Sequence, residues 1–355
     1  MPRLEVKNLS RSFGNLAVVD KISFQISSGQ VTCLLGPSGC GKSTTLRMIA
    51  GVEAPSSGQI FVDGELTSSS SFQVPPEARS IGLMFQDFAL FPHLTVQQNV
   101  YFGLSGSKEF KKERSFNLLK KVSLAHLAHN YPHSLSGGEQ QRVALIRALA
   151  PQPKIMLMDE PFSGLDDRLR DEIRDETFNL LRSEDAAVLM VTHDPQEAMK
   201  VADEIALMRD GKILQSGAPY NIYNAPVDLK ALQFFSDANA IQATLQGSLA
   251  DTPFGQFFAP GLSDGTNIDI VFRPQHVRID FDRKGRGPLP TASQGIAARG
   301  IVKRARFVGN ESLIEFEMDF GVSIKASVPN VFLPNQGHPL WLTVPRDKCY
   351  IFPKS

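Results

Sequence analysis

The chain has 355 residues, with 37 Lys and Arg against 37 Asp and Glu, and 42% hydrophobic residues. That length predicts two to three domains, and the ordinary apolar content excludes wholesale disorder. The charge balance leaves no global field for nucleic acid. The three cysteines, Cys33, Cys40 and Cys349, lack ligand spacing. They predict a reducing compartment rather than a disulfide framework or a zinc site.

In chain order, MPRLEVKNLSRSF has no apolar core and carries Glu5, so it does not read as a signal peptide. LEVKNLSRSF (4–13) and VVDKISFQI (18–26) alternate like strands. VTCLLG (31–36) is a short apolar run entering a glycine-rich loop, and KSTTLRMIAG (42–51) reads as a helix closed by Gly51. QIFVDGEL (59–66) and SIGLMF (80–85) are strands, SSSSF (68–72) a loop. Residues about 97–150 read as an inserted helical arm. KIMLMDEP (154–161) and AVLMVTHD (187–194) are buried-strand runs ending in polar groups, with helices over 166–183 and 195–204. IALMRDGKILQSG (205–217) is a hairpin around Asp210-Gly211. The longest apolar runs are strand-length, so no membrane span is expected. This alternation predicts an α/β domain on a parallel sheet over 1–237. From 238 to 355 short strands broken by Gly, Pro and Asn predict a small all-β barrel, with a loop over 283–295.

GPSGCGKST fits G-x-x-x-x-G-K-[ST] in the required strand-to-helix context. The candidate phosphate cradle is Gly36, Pro37, Ser38, Gly39, Cys40, Gly41, Lys42, Ser43 and Thr44. Gly39 and Gly41 let backbone N–H groups wrap phosphates, Lys42 meets the β- and γ-oxygens of ATP, and Ser43 offers a hydroxyl to Mg²⁺. Asp159 and Glu160 end a buried run. Beside a P-loop they read as a Mg²⁺ ligand and a general base for the attacking water. His193 and Gln86 end neighbouring strand runs, where ligands of parallel sheets bind. His193 then reaches the γ-phosphate region, and Gln86 serves Mg²⁺ or water. Phe13 reads as core or as a platform for adenine. LSGGE (135–139) is a helix start in which Ser136 and Glu139 form a capping box. Gly137 and Gly138 in its first turn cost helix propensity and expose N–H groups that suit an anion.

These motifs stand in the order and spacing of an ATP-binding cassette (ABC) ATPase, and the chain resembles that family over about 1–235. The resemblance implies a P-loop fold with an inserted helical subdomain and a head-to-tail homodimer. In it Ser136, Gly137, Gly138 and Glu139 of one chain meet ATP bound to the P-loop of the other. It also implies that Phe13 stacks on adenine, Asp166 couples the two sites, His193 contacts the γ-phosphate, and Gln86 senses Mg²⁺ and the membrane partner. Three positions depart from the usual pattern: Phe13 for Tyr, Glu139 for Gln and Gly164 for Ala. VFRPQHVRI and RARFVGNESLIEFE resemble the transport-associated OB-like regulatory domain of importers for maltose, polyamines, sulfate and ferric ion. As a whole the chain most resembles bacterial ferric-ion importer ATPases. That implies transmembrane permease subunits as partners, indirectly a periplasmic solute-binding protein, no nucleic acid, and a peripheral place on the cytoplasmic face of the inner membrane. The aromatic segment FQDFALFPHLTV (85–96) reads as a groove for a permease helix or as core under the helical arm. The rival readings are a soluble ABC-type factor acting on DNA or ribosomes, and a P-loop kinase. The second leaves LSGG and the β region unexplained.

Overall fold

The computed structural model describes residues 1–163, 167–281, 285–291 and 295–354. The chain divides into two compact units, Met1–Pro226 and Val227–Ser355. The expected boundary at 237/238 lies beyond this division, and the short helix before it belongs with the second unit.

Unit one opens with β1 (Leu4–Phe13) and β2 (Leu16–Ile26), then β3 (Val31–Leu35) and α1 (Lys42–Ala50). β4 (Ser57–Val62), β5 (Glu65–Ser69) and β6 (Ile81–Met84) follow. The helical arm carries α2 (Val96–Tyr101), α3 (Lys108–Lys121) and α4 (Gly137–Leu149). After it come β7 (Ile155–Asp159), α5 (Asp167–Ser183), β8 (Ala187–Thr192) and α6 (Pro195–Val201). The unit closes with β9 (Glu204–Arg209), β10 (Lys212–Gly217) and α7 (Pro219–Asn224). Two departures from the sequence reading stand out. Ser68 and Ser69 belong to β5 and not to a loop, because the buried Ser68 hydroxyl accepts from Arg79 at 2.7 Å. α6 stops at Val201, three residues before the expected end, because Glu204 is drawn into β9.

The main sheet runs β10-β9-β3-β8-β7-β6, parallel from β9 to β6 with β10 antiparallel at one edge. Every residue of β3 and β8 is buried, as expected for strands covered on both faces. A second, antiparallel sheet runs β2-β1-β4-β5. Its β4–β5 turn uses Asp63 and Gly64, both at positive φ (48° and 79°), as a primed hairpin turn requires. The two sheets sandwich α1 in one core that includes Leu4, Ile26, Leu46, Ile49 and Leu189. In the arm, Val143 and Ile146 of α4 pack with Val96, Val100, Leu118 and Leu119.

Arg79 ties α1 to the second sheet. Its guanidinium is buried and donates to the carbonyls of Met48, Ile49, Val74 and Thr67 and to Ser68 Oγ. The last carbonyls of a helix lack intrahelical partners; Arg79 takes those of Met48 and Ile49, while the Gly51 and Val52 N–H groups turn back on Met48 and Arg47, so together they close the helix that carries Lys42.

Unit two begins with α8 (Leu229–Phe235), then β11 (Asn239–Gln246), β12 (Leu249–Thr252), β13 (Gly255–Phe258), β14 (Asn267–Phe272) and β15 (Arg278–Phe281). β16 (Ala298–Phe307), β17 (Glu311–Met318), β18 (Ser323–Pro329), β19 (Pro339–Thr343) and β20 (Cys349–Pro353) complete it. Two five-stranded antiparallel sheets, β13-β12-β11-β14-β20 and β15-β19-β16-β17-β18, enclose a core built on Phe254, Phe272, Phe316, Leu340 and Leu342. The all-β expectation holds. Of the expected loop 283–295, the described residues 285–291 and 295 form no named strand, only a bridge between Thr291 and Gly295.

Candidate functional site

Parallel strands present their C-terminal ends on one edge, and the polar residues that follow β3, β6, β7 and β8 meet there. The loop after β3 turns through Gly39 at φ 81° and Gly41 at φ 102° into α1. A Cβ at Gly36 would lie 2.1 Å from the carbonyl oxygen of Met208, and one at Gly41 2.4 Å from that of Val18. The loop thus lies flat against β9 and β2, where only glycine fits. Lys42 is buried, and its ammonium donates to the carbonyls of Gly36 (2.7 Å) and Pro37 (2.9 Å). Pro37, Ser38 and Gly39 are exposed, so the loop's crown is open to a ligand. Cys40 is only 5% exposed and points inward, its Sγ 3.8 Å from Lys42 Nζ. Burial pushes its thiol pKa up, against the opposing pull of Lys42. Thr44 follows Ser43 in the first turn of α1.

The Ser43 hydroxyl donates to Asp159 Oδ1 at 3.0 Å. Burial raises the Asp159 carboxyl above its ordinary range; the Ser43 bond opposes this and neighbouring Glu160 adds to it. A half-buried carboxylate beside a serine hydroxyl is a hard oxygen pair of the kind Mg²⁺ takes, with waters and phosphate oxygens completing its shell. The donor set fits that ion.

Glu160 sits at φ 44°, in the left-handed region, and its N–H donates to Val191 O at 2.9 Å. Its Oε1 meets His193 Nδ1 at 3.0 Å, and its Oε2 accepts from Gln86 Nε2 at 3.3 Å. Residues from the ends of β6, β7 and β8 thus converge on one carboxylate. His193 is 53% exposed and Glu160 19%.

Phe13, at the end of β1, is 48% exposed, and Arg11 Cζ stands 4.6 Å from its ring centroid. The core alternative is therefore out, and an open aromatic face remains. At the start of α4, Glu139 accepts from the Ser136 N–H and hydroxyl, both at 2.8 Å. Those two donors hold its carboxyl below the ordinary range. Gly137 is exposed and Gly138 buried. Asp166 and Gly164 lie outside the described residues.

Two residues missed in the sequence bind this region together. Arg147 of α4 donates to the carbonyls of Ala89 (2.6 Å) and Phe88 (3.0 Å), just after Gln86. Both acceptors have positive φ, 60° at Phe88 and 45° at Ala89. Asn99 of α2, fully buried, donates to the carbonyls of Phe91, Leu94 and Thr95 and accepts from the Phe91 N–H. Neither has a sequence signal, since each binds backbone carbonyls and no motif. The 85–96 segment itself is mixed. Phe91 packs on Phe102 with centroids 4.4 Å apart, while Phe85 is exposed. Among the described residues, no helix is long and apolar enough to cross a membrane.

A family model described as ABC transporter matches residues 19–163, and one described as TOBE domain matches 270–352. The putrescine transport ATP-binding protein PotG of Escherichia coli is 39% identical over 96% of this chain and 91% of its own length. The Fe(3+) ions import ATP-binding protein FbpC of Serratia marcescens is 42% identical over 88% of this chain and 94% of its own. A dimeric ATP-binding cassette solved in a post-hydrolysis state with ADP and phosphate aligns at TM-score 0.54 and 29% identity, covering 61% of this chain and 98% of that one. With a P-loop, an Asp-Glu strand end and a histidine strand end on one sheet edge, and a TOBE domain later in the sequence, the chain belongs to the ABC transporter ATP-binding proteins, ATPases that bind ATP with Mg²⁺.

Proposed function

We propose that this chain is the ATP-hydrolysing subunit of a binding-protein-dependent importer, working as a homodimer on permease subunits at the cytoplasmic face of the bacterial inner membrane. The observation that carries the reading is the convergence of Gln86 and His193 on Glu160, one residue beyond the Ser43–Asp159 pair.

In this reading the P-loop amides and Lys42 bind the triphosphate. Ser43 and Asp159 hold Mg²⁺ with Gln86, and the ion supplies charge neutralisation at the phosphates. Glu160 takes one proton from water as its oxygen bonds to the γ-phosphorus; the bond to the β-phosphate bridging oxygen breaks, leaving ADP and phosphate. Both Glu160 oxygens already have donors, so the water enters by replacing one of them. His193, released from Glu160, is in place for the γ-phosphate. Phe13 offers its open face to adenine. Ser136, Gly137, Gly138 and Glu139 serve the ATP of the partner subunit, with Asp166 coupling the sites. The exposed part of the 85–96 segment receives a permease helix. The cassette solved as a dimer supports the pairing.

The proposed cargo is ferric ion, following relatives named for Fe(3+) import at 38–42% identity. A polyamine is the second reading, favoured by putrescine and spermidine/putrescine relatives at 39% and 35%. The test is uptake of radiolabelled ferric ion and of radiolabelled putrescine in cells lacking this gene, complemented with the chain or with Glu160→Gln. Loss of ferric uptake restored only by the active chain supports the first reading; loss confined to putrescine replaces it with the second. Unchanged uptake of both removes the chain from import of either.

A further inference from the structure

His193 is half exposed, so packing alone does not set where its imidazole stands. Its two neighbours are tied down instead. The Thr192 hydroxyl, at the end of β8 and 2% exposed, donates to Glu197 Oε2 at 2.6 Å. The Thr192 hydroxyl oxygen itself accepts from the Asp194 N–H at 3.0 Å. Asp194 in turn caps α6 by accepting from the Gln196 N–H at 2.8 Å. Glu197, in the first turn of α6, is 6% exposed.

Such a buried carboxylate is costly unless it does something for the fold or the site. Here its acceptor oxygen decides which way the Thr192 hydroxyl points, leaving the lone pairs of that hydroxyl for the Asp194 N–H. The result is a directed chain, Asp194 N–H to Thr192 O–H to Glu197, in which each bond polarises the next. It staples the residues before and after His193 to one point. We propose that Glu197 is a positioning residue for ATP hydrolysis, acting through Thr192 to fix where the His193 imidazole stands, beside Glu160 and in reach of the γ-phosphate. This rests on the reading of His193 and Glu160 as the hydrolytic pair.

The Glu197 side chain bonds the Thr192 hydroxyl and not the Glu160–His193 pair, which places it in a positioning role. Burial raises its carboxyl above the ordinary range, with Asp194 adding to this and Thr192, Arg170 and His193 opposing. Its charge also contributes, after burial, to raising the thiol of Cys33 on β3.

The test compares Thr192→Val, Thr192→Ser, Glu197→Ala and Glu197→Gln in the full chain. Steady-state ATPase kinetics are read together with the His193 imidazole resonances by NMR. Displacement of a reacting group by about 1 Å costs on the order of a hundredfold. Thr192→Val and Glu197→Ala are therefore expected to lower kcat about ten- to a hundredfold, to leave the KM for ATP within about twofold, and to shift the His193 resonances. Thr192→Ser and Glu197→Gln keep a hydroxyl and an acceptor and are expected to restore both readouts. In a His193→Ala background, Glu197→Ala should add nothing. Should Glu197→Ala fail to fold, Thr192→Val, nearly isosteric, carries the decision. Unmoved His193 resonances in Thr192→Val, or a rise in KM with kcat intact, overturns the proposal. If His193→Ala itself turns over normally, the reading of the hydrolytic pair falls instead, and the shifted resonances still report on the staple.

Discussion

The guanidinium of Arg147 donates to the carbonyl of Ala89 across 2.6 Å, joining segments 58 residues apart in the chain. Arg147 lies on α4, whose first turn is the LSGG segment, and Ala89 lies three residues past Gln86. A shift of the 85–96 segment therefore pulls on the helix that begins at Ser136. Hydrogen bonds from a charged donor contribute about 1.5–3 kcal/mol each. Replacing Arg147 by Met should uncouple the two: basal ATPase within about threefold of the parent, but loss of most of the stimulation by permease in proteoliposomes. Arg147→Lys keeps one donor and should fall between. Full stimulation in Arg147→Met rules out this link as the route from the permease segment to the helix.

Glu160 has its Oε1 on His193 and its Oε2 on Gln86. Glu160→Gln preserves the shape of this hub but removes the proton acceptor. ATP binding should persist, and turnover should drop by about 10²- to 10⁴-fold, the usual worth of a general base. Single-turnover hydrolysis checks it, and near-normal turnover would exclude Glu160 from that role.

The glycines of the phosphate loop should differ sharply from one another. Gly39→Ala places its Cβ in open space and strains only the left-handed backbone, a cost of about 1–2 kcal/mol. Gly36→Ala and Gly41→Ala drive a carbon to 2.1 and 2.4 Å from backbone carbonyls that side-chain motion cannot relieve. Thermal unfolding should show a modest loss for Gly39→Ala. Gly36→Ala and Gly41→Ala should lose fluorescent-nucleotide binding as well as much of the transition temperature. Equal effects at all three would mean that the loop does not press on β2 and β9 as described.

The thiols should be slow to alkylate. Cys33 and Cys40 are buried, burial raises all three thiols, and that of Cys349 reaches about 12. The thiolate is the nucleophile, so at neutral pH Cys349 presents far fewer thiolates than an ordinary cysteine. Because each folded-state pKa is raised, reactivity should climb as pH rises. Mass spectrometry after a maleimide pulse should show little native labelling at pH 7, more at pH 9, and complete labelling in denaturant. Rapid stoichiometric labelling of the native chain at pH 7 would contradict the burial.

The inward-facing Cys40 is a poor probe of the dimer, whereas Ser38 and Ser136 are both exposed. In a chain with its three cysteines replaced by Ser, Ser38→Cys with Ser136→Cys should give ATP-dependent cross-linked dimer with a short bifunctional thiol reagent, and none with either thiol alone. A two-fold axis repeats the contact, so doubly linked dimer should also form. Linkage only within one chain would refute the head-to-tail arrangement.

What the sequence alone determined here has a local cause. The phosphate loop, the Ser136–Glu139 cap and the Asp210-Gly211 turn each lie within about nine residues, so spacing is enough to predict contact. The apolar runs of β3, β7 and β8 end in Ser/Lys-, Asp-Glu- and His-bearing segments, and parallel pairing alone carries those ends to one edge. Only the tertiary structure decided the rest. Gln86 and His193 on one carboxylate, Arg79 on the end of α1, Arg147 on Ala89 and Glu197 under Thr192 all depend on side-chain direction or on backbone acceptors. A carbonyl accepts alike from any residue, so it leaves no mark in the sequence. Cys40 shows the same limit from the other side. Its place in the loop was plain, but whether its sulfur faced nucleotide or core was settled by the packing of that loop on β9.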